Sequence, residues 1–136
     1  MDKALQLLSL SRKAGKAELG EEPVGAAARA GKAYVIAVAC DAGDHTWRRG
    51  KSYAAGTQQQ CVRLPYTKDE MGQAIGRSSL AMAAITDPAL ALALVQSLPD
   101  ADSKVLEVLS AAVQKSKQRQ KEAIAHRKNV KMGKKK

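Results

Sequence analysis

Residues 33–40, AYVIAVAC, form an unbroken apolar run rich in Val and Ile. At that length the run reads as a strand buried on both faces. Such a strand needs helices on either side of it, and the flanking sequence supplies them. Upstream, AELG (17–20) reads as a short strand leading into an Ala-rich helix. Pro23 suits that helix's first turn, where its missing N–H costs nothing. Gly31 suits its far end, where a left-handed residue stops a helix. Before them, Leu5, Leu7, Leu8 and Leu10 mark a first short helix that ends near Gly15. Downstream, residues 41–56 carry helix-like content around Trp47, Tyr53 and Ala54. QCVRLPYT (60–67) is a second strand closed by Pro65, KDEMGQAIG (68–76) a short helix, and LAMAAIT (80–86) another buried strand. Asp87 and Pro88 then pair as N-cap and first-turn residue of the helix ALALALVQSL (89–98).

This alternation of helices and strands predicts an α/β fold: a three-layer α/β/α sandwich around a central, about four-stranded mixed sheet. Pro99 and Asp100 break the chain, which divides it into a domain over 1–98 and an appendage over 99–136. From Asp102 a helix presents Val105, Leu109, Ala112 and Val113 on one face. Past Val113 the apolar stripe fades, and the remainder is expected to fray into disorder without a partner.

Composition sharpens this division. Hydrophobic residues make up 45% of the chain, enough for a core, but aromatics are 3% and Phe is absent. The core must therefore be built from Ala, Leu, Val and Ile, with helices and strands approaching closely. The net charge of +10 is unevenly placed. Residues 115–136 hold ten Lys or Arg and a single acid, Glu122, whereas residues 1–114 hold thirteen bases and twelve acids. A nearly neutral body thus carries a polycationic tail, the pattern of a chain that meets nucleic acid or an anionic membrane surface. No stretch reaches the roughly 20 apolar residues that span a bilayer. MDKALQLLSL has an acid at position 2 and no cleavage-site pattern, so it is not read as a signal peptide. Two cysteines without a CxxC pair suit a reduced, cytoplasmic protein.

Catalytic motifs are missing. There is no GxxxxGK[ST], GxSxG or HExxH, and AIGRSS has one glycine, too few for a phosphate cradle. Cys40 and His45 are the residues that would have to pair as nucleophile and base. They are read instead as a small buried thiol and a surface histidine. Trp47 is read as an anchor holding its helix to the sheet. Asp69 and Glu70 are read as first-turn helix acids. No enzyme activity, metal site or cofactor is expected.

Three segments, LLSLSRKAGKAELGEEPV, RAGKAYVIAVACDAG and YTKDEMGQAIGRSSLAMAAITDPALA, together resemble the L-seven-Ae family of ribosomal proteins, which bind kink-turn RNA. The likeness is to the family's small bacterial members and runs from about Leu5 to Leu94. It implies an α/β/α sandwich over 1–98 whose second helix presents its N-terminus to sheared G·A pairs. On that pattern Gly20, Glu21 and Glu22 would face base edges, because a carboxylate accepts hydrogen bonds from guanine N1–H and N2–H₂. Lys16, Lys13 and Arg12 would hold nearby phosphates, Asp41 would complete the site, and the loop Arg77, Ser78, Ser79, Leu80, Ala81 would cover an extruded nucleotide. Three positions depart from the pattern: Glu22 stands where Asn is usual, Pro23 where Glu is usual, and Ala26 where Lys is common. The tail residues Lys115, Lys117, Arg119, Lys121, Arg127 and Lys128 would add affinity. The expected partner is RNA, ribosomal or otherwise structured, and with it the ribosome, with no membrane. The rival expectation is a protein-interaction module on the same fold, with only non-specific RNA binding by the tail.

Overall fold

In the computed structural model, residues 2–133 are described, with side chains through residue 126. The chain runs α1 (Lys3–Lys13), β1 (Ala17–Leu19), α2 (Glu21–Arg29), β2 (Val35–Val38), α3 (Asp44–Ala54), β3 (Gln60–Arg63), α4 (Lys68–Ala74), β4 (Met82–Ile85), α5 (Pro88–Gln96) and α6 (Ser103–Gly133). The four strands form one mixed sheet in the order β1-β4-β2-β3. β2 pairs parallel to β3 and antiparallel to β4, and β4 pairs antiparallel to β1. Helices α2 and α3 cover one face of the sheet, while α1, α4, α5 and α6 pack on the other.

The two central strands explain their own sequences. Every residue of β2 and of β4 is buried, so neither strand has a solvent face on which polar residues would alternate. Small residues set the layer spacing, as composition requires. A Cβ on Gly25 would lie 2.9 Å from Tyr53 Oη, and one on Gly50 would lie 3.1 Å from both Val38 Cγ2 and Cys61 Sγ. Helix α2 therefore meets α3, and α3 meets the sheet, at glycine contacts. Leu8, Leu94 and Leu109 fill the opposite layer.

One buried polar side chain joins three segments. Gln59 is buried; its Oε1 accepts from Ala33 N at 2.9 Å, and its Nε2 donates to Ala28 O at 3.1 Å. It closes the backbone groups left over where α2 ends and β2 begins. Gln59→Leu is expected to lower stability by about 1–3 kcal/mol, the cost of leaving buried backbone partners unpaired. Urea unfolding of this variant against wild type checks the value.

Strand direction gives the molecule two ends. β1, β2 and β3 all run toward the end where α2, α3 and α4 begin, here called the upper end. The acids of these first turns, Glu21 and Glu22, Asp44, and Asp69 with Glu70, gather there. The bases of the last turns, Arg12 and Lys13 of α1, Arg29 of α2 and Lys51 of α3, gather at the lower end. Both placements favour the helix dipoles.

Helix α6 buries part of the apolar face that the sequence predicts for it. Leu109 and Val113 are buried against the body, so the core extends past the 98/99 boundary. The helix then continues to Gly133 after its apolar stripe ends. Lys, Arg, Gln, Glu and Ala dominate residues 114–125, and all have high helix propensity. The helix descends from the upper end: Asp100 borders a cavity with Cys40 and Leu64, and a second cavity runs from Asp100 and Arg63 to Val105, Val62 and Cys61.

Candidate nucleic-acid interface

At the upper end, β1 passes directly into α2 through Gly20. Its φ of +97° is reached at little cost only by glycine. Gly20 N donates to Met82 O at 2.9 Å, which fixes the helix start to the beginning of β4. α2 begins at Glu21, so Glu21, Glu22 and Pro23 are its first three residues, and Pro23 sits in the first turn as the sequence predicts. The two acids then differ. Glu21 Oε2 pairs with Arg49 Nη1 at 3.2 Å, and Arg49 Nη2 also meets His45 Nε2 at 3.2 Å. Glu22 is exposed and makes no hydrogen bond or ion pair among the described residues. Arg49 was not among the candidate residues; its spacing of four from His45, on one face of α3, is the sequence signal that places the two together.

Beside this helix start runs the segment that precedes β4. Leu80 N donates to Lys68 O at 2.9 Å, and Ala81 O accepts from Ala39 N at 2.9 Å. Arg77, Ser78 and Ser79 are exposed. Leu80, by contrast, is 3% exposed. It anchors the loop in the core, and its side chain is not available to a nucleotide. Glycine again permits the approach, since a Cβ on Gly72 would lie 2.7 Å from Ser79 N and 2.9 Å from Arg77 O. Asp41 is exposed, and its Oδ1 accepts from Lys68 N at 2.8 Å, so it holds the first turn of α4 in place. Thr67 and Glu70 close a capping box on the same turn.

The cations expected beside Gly20 are elsewhere. Arg12 and Lys13 end α1, and Lys16 precedes Ala17, which pairs with Ile85 at the lower end of the sheet. The span from Lys16 to Gly20 is about 13 Å of extended chain. The three bases therefore stand at the opposite end of the sheet from Gly20, because β1 crosses it between them. The bases that do stand at the upper end are Arg48, Arg49, Arg63, Lys68 and Arg77. Lys115, Lys117, Arg119 and Lys121 are exposed along α6, and the side chains of Arg127 and Lys128 lie outside those described. On the outer face of α2, Pro23 and Ala26 line a shallow depression with Glu18 and Thr86, in which Lys32 supplies the cation.

Trp47 packs half-buried over β3, with Arg63 at 4.9 Å and Lys51 at 5.3 Å from its ring centroid. Cys40 differs from its expected place as a small buried thiol. Cys40 lies just past the end of β2, in a turn, and is exposed, whereas Cys61 is half-buried beneath α3. No hydrogen bond joins Cys40 to His45 among the described residues; His45 turns to Arg49. Burial pushes the Cys61 thiol up to about 11, with Lys51 opposing. Alkylation at pH 8 is thus expected to modify Cys40 first and Cys61 on the order of 100-fold more slowly than an unperturbed thiol, since the thiolate is the reacting form. Mass spectrometry of the timed reaction checks the order.

With this geometry in place, the chain is an α/β protein with a four-stranded mixed sheet and a long C-terminal helix. No family model matches it, and no curated protein matches it. Among solved structures, it is similar to a protein of unknown function from Bacillus halodurans, with a TM-score of 0.62 and 23% identity over 81% of this chain and 99% of that one. It is also similar to the Giardia lamblia 15.5kD RNA binding protein, with a TM-score of 0.52 and 18% identity over 79% of this chain and 84% of that one. Likeness at these identities establishes a shared fold.

Proposed function

We propose that the chain is an RNA-binding protein of the cytoplasm, ribosomal or ribosome-associated and not an enzyme, that reads a structured RNA with the upper end of its sheet. The sequence resemblance points to kink-turn RNA as the form read. One observation carries the proposal: the start of α2 at Gly20–Glu22 and the exposed loop Arg77–Ser79 converge on the two ends of one strand junction, held by Gly20 N on Met82 O. Glu22 offers an unpaired carboxylate to guanine N–H groups, which are accessible where an RNA helix is interrupted. Arg77 and the two serines offer a cation and hydroxyls to the adjoining backbone. Glu21 is held by Arg49 and supports the helix start. The polybasic α6 adds affinity without sequence preference. The RNA-binding neighbour supports the reading through the shared fold.

The test uses the full chain and the substitution Glu22→Gln, on an exposed side chain. Discrimination between a kink-turn RNA and a variant with disrupted G·A pairs should fall by about 5- to 150-fold, equivalent to about 1–3 kcal/mol. Unchanged discrimination would remove Glu22 as a reader. Equal binding of kinked and straight RNA by the wild type would favour a protein-interaction module with an adhesive tail.

A further inference from the structure

The sheet axis separates two chemically different ends, and the long helix projects from only one of them. α6 starts beside the upper end of β3, passes Cys61 and Val62 at Val105, and among the described residues buries its last side chain at Val113. It therefore leaves the body at the lower end. The 20 residues from Gln114 to Gly133 continue the helix, about 30 Å at 1.5 Å per residue. Every described side chain from Lys117 to residue 126 is exposed. The cations there are not neutralised: the ion pair among the described residues is Arg49–Glu21 at the other end, and the arm's acid, Glu122, is hydrogen-bonded to Gln118. Arg12, Lys13 and Lys16 stand at the same end of the sheet, on the far side of α5 from α6, and are exposed.

We propose that this lower end is a second nucleic-acid surface, separate from the first, formed by Arg12, Lys13 and Lys16 with Lys117, Arg119 and Lys121 of the arm. Its ligand is the phosphodiester backbone of a duplex. The molecule then holds two RNA segments, or two parts of one RNA long enough to reach both ends, because the arm points away from the upper end. The arm does not suit a lipid surface: an interfacial helix needs a continuous apolar face, and between Gln114 and residue 126 the apolar residues are Ala123, Ile124 and Ala125. The inference rests on the reading of the upper end as an RNA site, and its test separates the two.

A kink-turn RNA is immobilised, full-length protein is bound, and a fluorescent 20-base-pair RNA duplex is offered. Wild type should retain the duplex in a complex of one protein, one immobilised RNA and one duplex, sized by sedimentation. The quadruple variant Lys115→Gln, Lys117→Gln, Arg119→Gln, Lys121→Gln lies outside the core. It should still bind the immobilised RNA but lose at least tenfold in duplex recruitment. A second variant, Arg12→Gln with Lys13→Gln, should weaken recruitment in the same direction. Binding of the immobilised RNA without recruitment of the duplex overturns the bridge while leaving the upper site standing. Failure to bind the immobilised RNA at all overturns the upper site instead. Recruitment only through two protein copies, or displacement of the duplex by phosphatidylserine vesicles at equal charge, also overturns the bridge.

Discussion

A chain ending at Gln114 is expected to bind RNA long enough to reach the arm on the order of a thousandfold more weakly than the full chain near 50 mM salt, with a flattened salt dependence. The missing segment holds ten of the 23 Lys and Arg residues and one of the 13 acids. Each phosphate contact contributes about 0.7 to 0.9 to the slope of log affinity against log salt, so a handful of engaged cations already supplies a slope of several units. The loss should be similar for RNAs of that length whatever their sequence, because backbone contacts carry no sequence information. Folding should be little affected, since Val113 is the last buried residue of α6 among the described residues and is retained. Fluorescence anisotropy across a salt series measures both quantities. A truncated chain with an unchanged slope would show that the arm does not touch RNA.

The second large effect is expected at Gly72. A methyl group there would meet Ser79 N at 2.7 Å, Ser79 Cα at 2.8 Å and Arg77 O at 2.9 Å, all backbone atoms that cannot rotate aside. Gly72→Ala should therefore displace the loop over α4 and destabilise the fold by about 1–3 kcal/mol, the usual range for an overpacked site. Because the displaced residues include Arg77 and Ser79, affinity for structured RNA should fall as well. Gly43→Ala is the control: nothing lies within 4 Å of its added carbon, and its φ is −66°. Urea midpoints for the two variants, with the slope of unfolding checked for constancy, separate the outcomes. Equal midpoints would mean that the loop yields without cost.

How much of this was legible in the sequence depends on the range of the interaction involved. β2 was readable because a strand covered on both faces needs no polar alternation, and helix ends were readable where Pro88 opens α5 and Gly31, at φ +71°, closes α2. Those are local effects. Strand order is not local: β4 sits between β1 and β2 because of pairings such as Leu19 with Ala83 and Val38 with Met82, which no short window encodes. Lys16 and Gly20 are four positions apart in sequence, so they were grouped into one site. Once the intervening residues are extended, the same spacing carries the chain across the sheet. Leu80 misled in a similar way, for a residue in a loop before a strand is buried only through the docking of α4. Arg49 was missed because its partner, Glu21, lies 28 residues away on another helix.

The central claim is that the folded body, not the cationic arm, chooses the RNA. The direct measurement is binding of residues 1–114 to a kink-turn RNA and to its G·A-disrupted counterpart at two salt concentrations. A preference of about tenfold or more for the kinked form, persisting at the higher salt where backbone contacts weaken, is the predicted result. Equal affinities for the two RNAs at both concentrations would contradict it.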